Sequence, residues 1–221
     1  MSVPLVLVIA NKNYSSWSMR PWVLLRGREI PFQERMIKFE SQDWRDSIGK
    51  LSPSGLVPVL WEGEPGKGFA TWDTLAIAER LHELFPERGI WPADPQSRAQ
   101  ARSAACEMHA GFRSVRAAMP MNIRGRYPGK GMNDGVAKDI ARISAIWSRA
   151  KGPFLFGEFC AADAFFAPVA TRFVTYAVEL TGAARNYQQT LLEATAVTAW
   201  SADAVKETEF VAEDEPYAAR A

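Results

Sequence analysis

The stretch PLVLVIANKNYSSWSMRPWVLLRG, residues 4–27, carries three signals in succession. Its apolar run, residues 4–10, is typical of a strand that is buried on both faces. The apolar spacing of PWVLLRG, residues 21–27, favours a helix that ends near Gly27. Two serines and a tryptophan therefore lie where a buried strand passes into a helix.

The position of Pro21 predicts where this helix begins. Proline has no amide hydrogen, which is harmless only among the first four donors of a helix. The helix is therefore expected to start near Ser18, a preferred capping residue, with Ser15 and Ser16 in the loop just before it. The positive end of the helix dipole at such a loop stabilises a bound anion. Serines that only cap the helix or form a turn are the ordinary alternative.

Strand-like and helix-like segments alternate up to about residue 85. The order predicted is βαβ, a helix, a ββ hairpin and a helix. Its later parts are a half-buried strand in PFQERMIKF (31–39), a short helix capped by Ser41 in SQDWRDSIGK (41–50), a hairpin of GLVPVLWEG (55–63) with KGFATW (67–72), and an amphipathic helix in DTLAIAERLHELF (73–85).

The pattern of alternating strand-like and helix-like segments ends at Pro86. Residues 86–94 are rich in proline and are interpreted as a linker. The remainder is predicted to be all-helical, and its acidic end EFVAEDEPY (209–217) is interpreted as a solvated terminus. Four long helices are expected: Pro95 to about Met119, capped by Asp94; Asn133 or Asp134 to Gly152; 161–180, kinked at Pro168; and 186–207.

Composition excludes several classes of protein. The 221 residues carry a net charge of +1 with no dense Lys/Arg block, so neither nucleic acid nor a membrane surface is expected as a partner. The apolar runs are shorter than the roughly 20 residues of a membrane span, and no secretory signal is expected. Cys106 and Cys160 stand apart in no metal-ligand pattern, which indicates reduced thiols in a cytoplasmic protein and no metal.

The order βαβ-α-ββ-α resembles the thioredoxin-like fold. SSWSMR lies where glutaredoxin-type proteins carry Cys-x-x-Cys, with Ser15 and Ser18 at the cysteine positions. Joined through a linker to a helical half, the chain resembles a glutathione S-transferase. The resemblance implies a thioredoxin-like glutathione-binding domain over 1–85, a linker over 86–94 and an all-α C-terminal electrophile-binding domain over 95–221.

Three places carry this resemblance, and the first is NYSSWSMR. It is similar to the serine-rich start of zeta-like bacterial glutathione transferases, in which a hydroxyl donates a hydrogen bond to the glutathione sulfur. Such a donor and a helix N-terminus both favour the thiolate, the nucleophilic form. The resemblance implies Ser15 as the donor, with Ser16 as the second choice, because Trp17 stands where zeta enzymes have cysteine.

The other two places are GLVPVL and TWDTLAIAERL. In the family, the residue before a cis-proline pairs through its backbone with the cysteinyl part of glutathione, which implies Val57 and Pro58. An acidic–hydroxyl pair at the start of the third helix holds the γ-glutamyl end, which implies Asp73 and Thr74. A plain strand entry and a plain helix cap are the structural alternatives.

Further residues are departures from the family or weaker candidates. Leu56 stands where many relatives have Lys or Gln near the glycyl carboxylate, so that contact is either missing or supplied by another residue, for which Lys38 and Lys50 are the candidates. His109 and Arg124 are possible electrophile-pocket residues; a packed histidine and a solvated basic loop are the ordinary alternatives.

Asp163 is interpreted as structural. Cys160 replaces the hydroxyl residue that usually caps the helix of GEFCAADAFF, but Asp163 can still reach back to free amides. Weakening this cap is expected to cost about 1 kcal/mol of stability. Trp147 and Trp200 are expected in the core.

The function implied is transfer of glutathione, as co-substrate, to a small and mostly apolar electrophile by a homodimeric enzyme. Isomerisation like that of maleylacetoacetate isomerase, or dehalogenation, would use the same thiolate. A non-catalytic binding module on the same fold is the alternative from another class. A redox protein that forms mixed disulfides is set aside, because serines stand where cysteines would be required.

Overall fold

The computed structural model describes residues 3–218. Within them, a four-stranded sheet is followed by a set of helices, in the predicted order. The elements are β1 (Leu5–Ile9), α1 (Ser16–Gly27), β2 (Gln33–Met36), α2 (Gln42–Leu51), β3 (Val59–Glu62), β4 (Phe69–Trp72), α3 (Thr74–Leu84), a 3₁₀ turn (Pro86–Arg88), α4 (Pro95–Ala110), α5 (Arg113–Ala118), α6 (Asp134–Trp147), α7 (Ala161–Thr175), α8 (Gly182–Glu193) and α9 (Thr195–Ala204). None of these helices is long and apolar enough to cross a bilayer.

The sheet has the order β2-β1-β3-β4. β1 pairs in parallel with β2 and antiparallel with β3, and β3 and β4 form the predicted hairpin. β1 lies inside the sheet and is buried throughout, as its continuous apolar run predicts. β2 was expected to be half-buried, but Gln33, Glu34 and Arg35 are all exposed. It is an edge strand, where charged side chains face water.

One hydrophobic core runs through both halves of the chain. Helix α1 packs against α7 and α9, which joins the sheet side to the helical side. The same cluster of buried residues contains Leu7 of β1 and Phe166 of α7. Trp147 and Trp200 are completely buried in it, as predicted.

Helix α1 begins two residues before the predicted position, at Ser16. The cap is Ser15, whose Oγ accepts a hydrogen bond from the Ser18 amide at 3.3 Å. Pro21 consequently lies inside the helix and removes one backbone hydrogen bond, which the burial of almost every residue of α1 offsets.

The prediction of one long helix from Pro95 to Met119 is wrong. It stops at Ala110, because Gly111 adopts an extended ψ of −163° after its amide closes the last turn on the Glu107 carbonyl, and Phe112 adopts a left-handed conformation with φ of 52°. A Cβ at position 111 would come within 2.6 Å of that carbonyl oxygen, so glycine is required at this turn.

Other helix ends also differ from the expectations. The segment 186–207 is two helices, α8 and α9, because Ala194 adopts an extended ψ of 130° between them. Helix α6 ends at Trp147, before Gly152, and α7 ends at Thr175 rather than Leu180. Sequence periodicity continues across such breaks, so it does not reveal them.

The buried carboxylate of Asp163 has the predicted structural position. Its Oδ2 accepts from the Cys160 amide at 2.9 Å, and its Oδ1 accepts from the Leu155 amide at 3.0 Å. The Tyr187 hydroxyl donates to the same Oδ1 at 2.9 Å. Asp163 therefore joins the start of α7 to a loop and to α8, and is more than a helix cap.

The acidic end of the chain is not a solvated terminus. Residues 207–217, termed here the C-terminal segment, fold back over the loop before α1. The Glu207 carboxylate accepts from the amides of Lys12 at 2.7 Å and Asn13 at 3.0 Å. Glu209 pairs with Lys38, and Val211 is buried. Free backbone amides and cations on the body of the protein thus hold the acidic side chains.

Candidate functional site

A cavity of about 830 Å³ opens at the N-terminus of α1. Ser15 and Ser16 lie on its wall and are only 5% and 7% exposed. The two serines differ in their bonding. Ser15 Oγ donates to Ser18 Oγ at 2.7 Å and accepts from the Ser18 amide, whereas Ser16 takes no part in this network.

The network places hydroxyls at the positive end of a helix. Ser18 is completely buried, and its Oγ also accepts from the Ala10 amide at 3.2 Å, which ties the end of β1 to α1. Hydroxyl donors and the helix dipole act in the same direction at this point. The arrangement can stabilise an anion such as a thiolate.

Val57 and Leu56 line the same cavity. The Val57–Pro58 peptide bond is cis, and Pro58 is buried immediately before β3. Leu56 is 69% exposed, so its side chain leaves this edge of the cavity without a cation. Lys38, one of the cations considered for the glycyl carboxylate, is paired with Glu209.

Asp73 and Thr74 start α3 as predicted, and His109 joins them. Asp73 Oδ1 accepts from the Leu75 amide at 2.8 Å, with φ of 71° at Asp73. His109 Nε2 lies 3.3 Å from Asp73 Oδ2, and His109 Nδ1 lies 3.4 Å from Thr74 Oγ1. His109 also lines the cavity. The structure therefore places this histidine beside the acidic–hydroxyl pair.

Burial lowers the pKa of His109. The charges of Arg20 and Arg116 lower it further, and the carboxylate of Asp73 opposes them. His109 is consequently neutral at pH 7 and can exchange hydrogen bonds with Asp73 and Thr74 without forming an ion pair.

The far wall of the cavity carries arginines that sequence reasoning missed. Arg172 of α7 and Arg116 of α5 both line it, and Arg172 is only 4% exposed. Among residues 3–218, Nε and Nη1 of Arg172 have no hydrogen-bond partner. Burial, and then the charge of Arg116, lower the pKa of Arg172 to about 10. The guanidinium therefore places a buried positive charge beside the cavity, and this charge attracts an anion that binds there.

Trp17 holds two of the cations in place. The guanidinium carbons of Arg20 and Arg116 lie 4.0 Å and 4.4 Å from the centre of its ring. The His109 ring packs edge-on against the same indole at 5.1 Å. Stacking on an aromatic face partly compensates each cation for lost water.

Arg124 does not lie in the cavity. It donates to the Tyr14 hydroxyl at 2.7 Å and the Glu209 carbonyl at 2.7 Å, and it pairs with Glu215. The side chain is therefore not solvated as the ordinary interpretation of this basic loop predicted, and Arg124 is not among the residues that line the cavity. Arg124 anchors the C-terminal segment.

Asp214, on the C-terminal segment, completes the cavity wall near Arg172. Burial raises the pKa of Asp214 to about 6; Arg172 opposes the rise, and Glu213 and Glu215 add to it. This residue was also missed by sequence reasoning, because the acidic end of the chain was interpreted as solvated. Arg172 did have a visible signal in the sequence, because it is the one arginine within the largely apolar run ADAFFAPVATRFV (162–174).

Comparison with known proteins identifies proteins of one family that are similar to this chain. Residues 14–84 match the family model "Glutathione S-transferase, N-terminal domain". A dichloromethane dehalogenase of Methylorubrum extorquens is 36% identical over 78 residues, 33% of this chain and 25% of the relative. Glutathione S-transferase 1 of Dianthus caryophyllus is 33% identical over 90 residues, 41% of this chain and 38% of the relative. The chain thus matches well under half the length of these curated relatives.

The fold is shared over much more of the chain. A Burkholderia glutathione transferase homologue, solved with bound glutathione, has a TM-score of 0.70 at 20% identity and covers 92% of this chain and 100% of its own. Residues 14–84 therefore match the N-terminal domain of the glutathione S-transferases, and the chain shares the fold of the glutathione transferases.

Proposed function

We propose that the protein is a glutathione transferase that ionises glutathione at the N-terminus of α1 and directs the sulfur at a small electrophile. The observation that supports this most is the convergence of separate motifs on one cavity. Ser15, Ser16 and Val57 line it together with His109, which contacts both Asp73 and Thr74.

Each part of glutathione except its glycyl carboxylate has a candidate partner. The sulfur is assigned to the hydroxyl of Ser15, whose hydrogen would have to turn away from Ser18 Oγ, or to that of Ser16. The cysteinyl backbone is assigned to Val57, next to Pro58. The γ-glutamyl ammonium is assigned to Asp73 and the γ-glutamyl carboxylate to Thr74 with the free amides of α3. In this assignment His109 is a neighbour of the glutamyl site, and Arg124 has no contact with substrate.

The electrophile is assigned to the remainder of the cavity. Trp17, Phe39 and Trp44 supply apolar surface, while Arg172 and Arg116 supply positive charge. This favours an electrophile with an apolar body and an anionic group, rather than the mostly apolar compound first expected. Holding the thiolate and the electrophile together contributes to the rate in addition to ionisation.

Conjugation, isomerisation and dehalogenation all start from this thiolate. The dichloromethane dehalogenase among the relatives supports keeping the last of these as a candidate. The alternative from another class, a module that binds without catalysis, is separated by two measurements. Glutathione binding by calorimetry, together with turnover of a generic aromatic halide, supports the enzyme; a protein that takes up no glutathione contradicts it.

The residue division and the location belong to the same proposal. Residues 1–85 would hold glutathione and residues 95–221 the electrophile, with 86–94 linking them. Cys106 and Cys160 are both free thiols, which is consistent with a reducing, cytoplasmic environment.

Asp73→Asn is expected to weaken glutathione binding about tenfold to a hundredfold. A hydrogen bond to a charged group contributes about 1.5–3 kcal/mol, and each 1.4 kcal/mol is about a factor of ten in affinity. Asparagine still tolerates the positive φ at this position. Titration calorimetry measures the change, and Asp94→Asn, which alters the cap of α4 away from the cavity, is the matched control. Equal affinities for the two variants would contradict the role of Asp73.

We further propose a homodimer. The edge strand β4 exposes Phe69 and Trp72, at 61% and 46%, which is apolar surface that a second copy can cover. Light scattering is expected to give twice the chain mass, and Phe69→Ser with Trp72→Ser to shift the protein toward monomer. A wild-type monomer at micromolar concentration would overturn this assignment.

A further inference from the structure

The C-terminal segment brings an acidic side chain to the cavity wall that carries Arg172. The segment is held down on both sides of Asp214: the Glu207 carboxylate binds the amides before α1, and the Tyr217 hydroxyl donates to the Ala118 carbonyl at 2.8 Å. Asp214 is thereby held at the cavity by anchors that do not depend on its own charge.

Among the described residues, the charges that act on Asp214 are those of Arg172, Glu213 and Glu215, and the Tyr176 hydroxyl of α7 is also close enough to be affected by the charge of Asp214. Arg172 of α7 attracts its carboxylate, while Glu213 and Glu215 on the same segment repel it. Arg113 and Arg116 of α5 lie on the same cavity wall. Among the described residues, Nε and Nη1 of Arg172 nevertheless have no partner, so the two side chains share the cavity without satisfying each other.

We propose that Asp214 is a specificity-determining residue, which admits an anionic electrophile between itself and Arg172 only after it has taken up a proton. This inference rests on the proposed function, since it concerns the second substrate. The proton comes from solvent and goes to a carboxylate oxygen of Asp214. The resulting O–H donates to the carboxylate of the ligand, and the positive charge of Arg172, whose side chain lines the cavity, attracts the same carboxylate.

An ionised Asp214 would instead repel the ligand and compete for the guanidinium. The pKa of about 6 for Asp214 leaves about one molecule in thirty protonated at pH 7.5 and about three in four at pH 5.5. Apparent affinity scales with the competent fraction, so a carboxylate ligand is expected to bind roughly twentyfold more tightly at the lower pH.

Two matched pairs of ligands test this: S-(carboxymethyl)- and S-(3-carboxypropyl)glutathione, each beside its neutral carboxamide. Calorimetry at pH 5.5 and 7.5 is expected to show tighter binding at low pH for at least one carboxylate, and nearly constant binding for its amide. In buffers of different ionisation enthalpy, binding of that carboxylate at pH 7.5 should take up about one proton more than its amide. Since the amide shares the glutathione part, titration of His109 cancels.

Asp214→Asn should bind the carboxylate at pH 7.5 as tightly as the wild type does at pH 5.5, and should lose the proton uptake. The neighbouring exposed Glu213→Gln is the control: it should keep the proton uptake and the preference for low pH, with the pH dependence shifted toward lower pH because the charge of Glu213 contributes to the raised pKa of Asp214. Identical pH dependence for acid and amide in both pairs overturns the proposal without any variant. Failure of all four conjugates to bind overturns the proposed function instead.

Discussion

Replacement of Ser15 and Ser16 together by alanine is expected to lower turnover of a generic electrophile by about two orders of magnitude. The loss of a fixed donor to a developing or bound anion has effects of this size. The bound thiol should also ionise at higher pH, because it loses the hydroxyls that favour its charged form. Ultraviolet absorbance of the thiolate, followed against pH in the presence of glutathione, measures this second effect directly.

Ser15 also caps α1, so the chemical role must be separated from the structural one. Ser15→Gly removes the hydroxyl, but a glycine cap costs only a few tenths of a kcal/mol relative to serine. Comparison with Ser16→Ala then shows which serine acts, since only Ser15 is engaged with Ser18. Ser103→Ala, at an exposed position of α4, is the control and should keep full activity. Full activity and unchanged thiol ionisation in the double variant would remove the serines from the mechanism.

Asp163→Ala is expected to lower the free energy of unfolding by roughly 3–5 kcal/mol, well above the 1 kcal/mol of a simple helix cap. Three donors lose their acceptor: the amides of Leu155 and Cys160 and the hydroxyl of Tyr187. Each buried donor left without a partner costs about 1–3 kcal/mol. Denaturant unfolding followed by tryptophan fluorescence measures the loss.

The matched control is Asp94→Ala. This aspartate caps α4 through the Ser97 amide at 2.7 Å, but it is exposed, so water replaces the lost acceptor. Its substitution is expected to cost a small part of what Asp163→Ala costs. Similar losses for the two variants would mean that burial adds nothing to the cap.

The sequence predicts the elements of this fold well where each residue type has one clear role. The unbroken apolar run of β1, the cap at Ser41 and the Asp94–Pro95 start of α4 are all confirmed. The ends of the helices were harder to predict from the sequence. The break at Gly111 depends on a left-handed residue that follows it, Phe112, and the residue types there do not announce that conformation.

The candidate site likewise contains residues that the sequence identifies and residues that it does not. Loop and helix-start residues such as Ser15 and Asp73 are recognisable because they follow a strand at a fixed point of the fold. Arg172 and Asp214 are not, because only the return of the chain end brings them to one cavity. Asp214 lies just over forty positions further along, and no local sequence pattern predicts that they share a site. The prediction of a solvated acidic terminus was wrong for the same reason. Composition alone does not show that backbone amides far away in sequence bind those carboxylates.

The continuous core through α1 and α7 bears on what the matched N-terminal domain means physically. Residues 14–84 match a family model by themselves. The first helix of this segment, α1, nevertheless packs against α7, which lies more than a hundred positions further along the chain. We accordingly expect the two halves to unfold together in one cooperative transition, and a fragment cut at that junction to expose part of the core to water.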